Sequence, residues 1–314
     1  MQLALRDYGA DLQWNVGSLF CHEQVIYGLL QFFRYFNIPN PIKWVFGSIP
    51  SLMTGGRVPL IEIALKDALQ TLAAHIEEGL ACRLTLSNPH ADAKMIREDS
   101  INAALMSFLN THPVEGKRHG IIVTSDILAQ HARDAYPNLE VILSIIRPAY
   151  DVGYGPGKDT LEWYSEKLTD PLYDVVVVNN AKLYEEGFLE ALPCKDKVEL
   201  LACHDCMRNC QMAKEHYERT VLFSQCLCKG YDTTQAHSLL QDTLRRCCAN
   251  KQRHLDQTAS YSIDEMKKVV AMGYRQFKLA GRVNSDDRFA RDLHAYLFNH
   301  EVVRYLEMIL PLQS

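Results

Sequence analysis

From about residue 42 onward, short apolar or β-branched runs alternate with longer stretches whose apolar residues recur at helical spacing, the pattern of parallel βα units. The runs are Lys43–Phe46, Ala81–Ser87, Gly120–Ser125, Val141–Ile146, Asp174–Asn179, Val198–Ala202, a weaker one near Thr258–Tyr261, and Gln276–Ala280. Val141–Ile146 and Val175–Val178 are apolar without alternation, which suits strands covered on both faces. Eight such units predict an α/β fold with the parallel sheet closed into a (β/α)8, TIM-barrel-like domain. A barrel of this kind takes about 250 residues as one unit, so residues 1–314 are read as a single domain.

The intervening stretches read as covering helices. Between the first two runs, Ala64–Glu78 places Ala64, Leu65, Ala68, Leu69, Leu72, Ala73 and Ile76 on one face, with Gly79 available to end the helix. Asp99-Ser100 starts a second pattern through Ile101, Ala104, Leu105 and Phe108. Ser262, with Glu265 three residues later, is a capping-box match ahead of Met266, Val269 and Val270. Residues 1–40 carry Tyr8, Trp14, Phe20, Phe32, Phe33, Tyr35 and Phe36 and read as an aromatic-rich extension packed on the barrel. Residues 229–257 are polar and helical in pattern and read as an insertion between strands six and seven.

Hydrophobic residues at 47% and charged residues at 23% are the balance of a globular protein with a full core. A formal net charge of −5 argues against general nucleic-acid binding, which normally shows as clustered excess Lys and Arg. No apolar run approaches the roughly 20 residues that span a bilayer. Met1–Leu5 is followed too soon by Arg6 and Asp7 to read as a secretory signal, so a cytoplasmic chain without membrane contact is expected.

In a reducing compartment ten cysteines read poorly as a disulfide framework, and grouped ones read better as metal or cluster ligands. Half of them are grouped: Cys203, Cys206, Cys210, Cys226 and Cys228. The first lies at the end of strand six, which places the group at the C-terminal rim where barrel enzymes build their sites. Several thiolates converging from short loops suit an iron–sulfur cluster, and they also suit zinc. One CxxC followed by CxxxC and CxC fits the paired CxxC of a zinc ribbon imperfectly. A third reading leaves them as small buried hydrophobes.

The same rim would display Asn88, Arg147, Asn179, Asn180, His204, Lys278 and Arg282. Arg and Lys there would neutralise a thiolate cluster or bind an anionic substrate, and the Asn amides would bind substrate. His204, between the first two cysteines, would move protons. Asn88 before Pro89 serves equally as a turn residue. Gly153–Lys158 is glycine-rich but lacks the spacing of a phosphate loop, and reads as a βα loop able to cover the site.

A barrel with cysteines after a late strand and a terminal strand Phe277-Lys278-Leu279-Ala280-Gly281-Arg282 resembles the peptidase U32, or collagenase-like, family. Members of that family read a Phe-Lys-Ile-Glu-Gly-Arg-like stretch near the matching strand; Ala280 here replaces its acidic residue. The resemblance implies a cysteine-held 4Fe-4S cluster and an enzyme of that class, its relatives carrying out oxygen-independent hydroxylation of RNA or of a small molecule. Of the five cysteines it bears most directly on Cys206 and Cys210. An electron-transfer or assembly partner protein would be expected. The alternative is a zinc-binding barrel, serving as an interaction protein or as a metal-assisted hydrolase such as a peptidase.

Overall fold

The structure, a computed structural model, describes residues 4–55, 63–153, 157–203, 207–208, 210, 212–253, 260–281 and 285–309, with backbone alone at 180, 248–253 and 306–309. Eight strands pair in sequence order, all parallel: β1 (Gln13–Val16), β2 (Ile42–Gly47), β3 (Ala81–Leu86), β4 (Gly120–Val123), β5 (Glu140–Leu143), β6 (Val175–Val178), β7 (Val198–Cys203) and β8 (Gln276–Leu279). β8 pairs back onto β1 through Gln13↔Gln276 to Val16↔Leu279, which closes the barrel.

Helices cover the outside. α1 (Glu23–Tyr35) follows β1 and α2 (Leu65–Glu77) follows β2. α3 (Ala93–Glu98) and α4 (Ser100–Thr111) follow β3, α5 (Asp126–Ala135) follows β4, and α6 (Pro148–Asp151) and α7 (Leu161–Thr169) follow β5. α8 (Phe188–Ala191) follows β6. α9 (Ala213–Cys228), α10 (Thr234–Arg253) and α11 (Ile263–Ala271) follow β7, and α12 (Asp286–Leu297) and α13 (His300–Ile309) follow β8. The expected signals act locally. Asp99 caps α4 by accepting from the Asn102 amide, and Ser262 with Glu265 forms the full capping box of α11. Among the described residues, no helix is long and apolar enough to cross a membrane.

Two expectations about the strands change. Ser260 and Tyr261 form no strand, residues 258 and 259 lying outside the described set; the Tyr261 amide donates to Ala202 O at 2.8 Å and the chain then enters α11. The missing strand is β1, inside the supposed extension. Its apolar residues point outward: Trp14 packs against Phe277 and Tyr296 at ring-centroid distances of 5.6 and 6.1 Å, while Asn15 faces the barrel axis. A four-residue strand with its polar residue on the inside does not show as an apolar run. The cysteines therefore follow strand seven, and the helical insertion lies between β7 and β8.

β1 and β2 are locked together where the chain leaves them. A Cβ on Gly47 would sit 2.1 Å from Leu19 O, and Leu19 N donates to Phe46 O at 3.2 Å, so only glycine allows this loop to pass. The insertion is a helical hairpin with a core of its own. Phe223, Ala236 and Leu240 form a buried cluster, with Cys226, Leu227 and Leu244 packed on it, separate from the main core.

Candidate functional site

The barrel interior is divided by chemistry. On one side Phe46, Ile122, Ile142, Val175 and Val177 form an apolar cluster, the usual filling of such a barrel. On the other, β1, β3, β7 and β8 contribute Asn15, Arg83, Glu199 and Lys278. Arg83 and Glu199 are fully buried and joined at 2.7 Å, and the second arm of Arg83 reaches Glu140 at 3.0 Å. The Arg83 guanidinium also lies 4.0 Å over the Trp44 ring. Asn15 donates to Glu199 at 2.9 Å, and the Lys278 ammonium sits 3.8 Å from the other Glu199 oxygen and 3.9 Å over the Phe46 ring.

Lys278 faces inward, with Glu199 as the partner that a buried ammonium requires. Its side chain retains 10% exposure while Arg83 and Glu199 have none, so Lys278 is the end of the network nearest the mouth. Arg83, Glu199, Glu140 and Asn15 were missed in the sequence. The available signal was period two: Arg83, Thr85 and Ser87 alternate with Leu84 and Leu86, which a strand with a polar inner face produces.

At the end of β7 the pairing with β8 slips. Leu201 lies opposite Lys278 but Cys203 opposite Leu279, so two steps of β7 match one of β8. Irregularities of this kind re-aim side chains and recur beside active sites. Cys203 is buried, and its sulfur receives the Ser260 hydroxyl at 3.8 Å. Cys210 is buried on the same short loop. Between them Arg208 stacks 3.4 Å over the Tyr184 ring and lies 4.0 Å from Glu265, whose other contacts are the Tyr184 hydroxyl at 2.6 Å and the α11 cap. The cysteine loop is thereby tied to the exit of β6 and to the start of α11. Cys206 and His204, like Arg282, lie outside the described residues.

Cys226 and Cys228 are elsewhere. They occupy the last turn of α9, about 20 Å along the helix axis from its first residue at a rise of 1.5 Å per residue. α9 leaves the β7 side, passes Tyr150 after β5 through Lys214, and reaches the loop after β3, where Glu218 meets His90 at 2.9 Å and Gln225 meets Met95 at 3.9 Å. At that end, partial burial and the nearby Asp99 carboxylate push the Cys228 thiol up to about 11. Among the described residues no three His, Cys, Asp or Glu side chains gather as metal ligands.

Three other expected residues are engaged in holding the fold. The Arg147 guanidinium donates to Thr124 O, to both Asp126 oxygens and to Asp151 at 2.5–2.9 Å. Burial works against its charge, but the two carboxylates outweigh it and hold the group above the usual arginine range. Asn88 is fully buried, donates to Leu52 O at 2.6 Å and accepts from the His90 amide at 2.9 Å. Asn179 accepts from Ala181 N at 3.0 Å and caps the turn after β6; the side chain of Asn180 is outside the described set.

A rim histidine also went unnoticed. His22, after β1, bonds Asp286 through Nδ1 and Gly281 O through Nε2 at 3.1 Å, and stacks on Phe289 at 4.5 Å. It and Phe20 adopt left-handed backbone, at φ 58 and 68. Non-glycine residues take that conformation at a cost, and such strain clusters at functional loops. His22 thus joins the exits of β1 and β8 across the seam that closes the barrel.

No family model matches the sequence, and no curated protein matches it. Among solved structures, the U32 peptidase Mk0906 superposes with a TM-score of 0.51, at 13% identity, over 87% of this chain and 93% of that one. At that identity the likeness is one of fold: the chain is a closed, all-parallel (β/α)8 barrel of the architecture found in a U32 peptidase.

Proposed function

We propose that this chain is a U32-like barrel enzyme that carries a 4Fe-4S cluster on the loop leaving β7, held by Cys203, Cys206 and Cys210, beside a substrate site in the barrel mouth. The observation that supports it most is the pair of buried thiols, Cys203 and Cys210, on one short loop anchored by Arg208 where the β7–β8 pairing slips. The donor set fits a cluster in kind. With Cys226 and Cys228 at the far end of α9, three cysteines remain, which suits a cluster with one position left open better than a four-thiolate structural zinc.

Such a cluster would supply electrons or a Lewis-acidic iron, and the reaction class we favour is an oxygen-independent redox modification, such as hydroxylation, of a small molecule or RNA. The chain's own residues do the rest. Lys278, 3.8 Å from Glu199, offers a cation at the floor of the mouth to developing negative charge on a bound substrate. The Ser260 hydroxyl donates toward the Cys203 sulfur, and α9 passes the loops after β5 and β3.

The deciding experiment is anaerobic purification with iron, sulfide and zinc analysis and a visible spectrum. Native protein and the Cys226→Ser/Cys228→Ser variant are expected to be brown, with matched iron and sulfide, and Cys203→Ser/Cys210→Ser colourless. One tightly held zinc in a colourless native protein would sink the cluster and leave a metal-assisted hydrolase. Loss of colour in the Cys226→Ser/Cys228→Ser variant would contradict the three-cysteine assignment.

A further inference from the structure

α9 and α10 pack on each other and not on the barrel core. Phe223, Ala236 and Leu240 form their own buried cluster, and among the described residues neither helix joins the main core or packs against it. At the other end of the pair Glu215 ties the helices together, accepting from Thr243 at 3.1 Å and from Arg246. A helix that covers a barrel wall buries an apolar stripe on the strands, as α5 does through Leu128, Ala129 and Ala132. The face that α9 turns to the barrel instead carries Lys214, Glu218 and Gln225, and Val221 between them is buried but belongs to neither core.

The three polar side chains meet one composite surface. His90, after β3, and Tyr150, after β5, pack edge to face at 5.9 Å. Lys214 lies 5.1 Å over the Tyr150 ring, Glu218 bonds His90 at 2.9 Å, and Gln225 reaches Met95 at 3.9 Å. β7 and β3 stand opposite each other in a ring of eight strands, so a hairpin that leaves one and docks after the other lies at the C-terminal end of the barrel, not down its wall. The His90 and Glu218 side chains are 53% and 35% exposed. An ion pair that stays this hydrated contributes little, whereas a packed apolar stripe would hold the helix firmly. Elements that move are drawn from such weakly held parts of a fold.

We propose that the α9–α10 hairpin is a lid that opens and closes on the loops after β3 and β5, with Glu218 and His90 as its latch. In the closed state the three side chains sit on Tyr150, His90 and Met95. Opening parts those contacts and leaves the hairpin's own cluster whole, so the two helices move as one body. The end of α9 that stays attached is the end beside the buried thiols, where Ala213 N donates to Cys210 O at 3.0 Å. A substrate would enter while the hairpin is lifted and be held at the rim when the latch re-forms. The lid rests on how the hairpin is packed and stands whatever the cysteine loop binds.

The test is hydroxyl-radical footprinting of the whole chain, read residue by residue by mass spectrometry, on the native protein and on Glu218→Ala. Met95 and Tyr150 report on the docking surface, and Met266 and Tyr164, fully buried in the main core, report on the barrel. Met95 decides the matter, because Gln225 covers it about two turns along α9 from Glu218, and loss of the Glu218 side chain bares it only if the helix moves. In Glu218→Ala the oxidation of Met95 should rise about threefold, with Met266 and Tyr164 unchanged. Met95 oxidised at the native rate in Glu218→Ala would overturn the latch. A rise at Met95 matched by Met266 and Tyr164 would overturn the lid, since the barrel itself would then be loosening.

Discussion

At the scale of the residue, the Arg147 guanidinium bonds one carbonyl and two carboxylates, so truncating it removes several charge-assisted bonds at once. Arg147→Ala is expected to lower stability by about 2–4 kcal/mol in urea unfolding. His75 makes a different prediction. It is buried in α2 against Tyr27 with neither ring nitrogen bonded among the described residues, and burial lowers it to about 4 from an ordinary 6.5. The native state then holds the neutral ring while the unfolded chain takes up a proton, so stability is lost as pH falls from about 6.5 through about 4. The full loss is of the order of 3 kcal/mol, and a His75→Leu variant should flatten the drop in melting temperature between pH 7 and pH 5. Residue roles were the least legible part of the sequence. Asn88 and Arg147 follow the ends of β3 and β5, and what each bonds depends on Leu52, Asp126 and Asp151, which only the folded chain brings near.

At the scale of the element, helix starts were readable because their signals are local, as with Asp99 and Ser262. Strands were readable where both faces are apolar. β1 was missed because its inner face is Asn15 and its outer Trp14 had no visible partner until α12 and β8 were in place. Trp14→Ala should therefore cost about 3–5 kcal/mol, a loss typical of a core residue and measurable by thermal unfolding. Gly47→Ala should destabilise comparably, because its Cβ would meet backbone oxygen at 2.1 Å and no side-chain rotation relieves that. The cysteine loop was legible in spacing but not in extent. Nothing in CxC says that a helix of 16 residues carries Cys226 and Cys228 away.

At the scale of the whole molecule, the count of eight units gave the closed barrel although one unit was misplaced, because the remaining runs already required seven parallel strands and a closing partner. The charged interior makes a prediction about the barrel as a body. Glu199→Leu leaves Arg83 and Lys278 buried without their shared carboxylate and should cost about 3–5 kcal/mol, while replacing Arg83, Glu199 and Lys278 together by Met, Leu and Met should recover much of it. Chemical denaturation of the two variants measures the difference. The seam between β1 and β8 has a further consequence for the protein's birth. These partners lie at opposite ends of the sheet's sequence, so on the ribosome β1 must wait on the order of tens of seconds for the strand that completes it. During that wait the half-made sheet presents two open edges. For that interval the nascent chain depends on whatever shields them, and translation speed between β1 and β8 becomes a determinant of how much barrel is recovered.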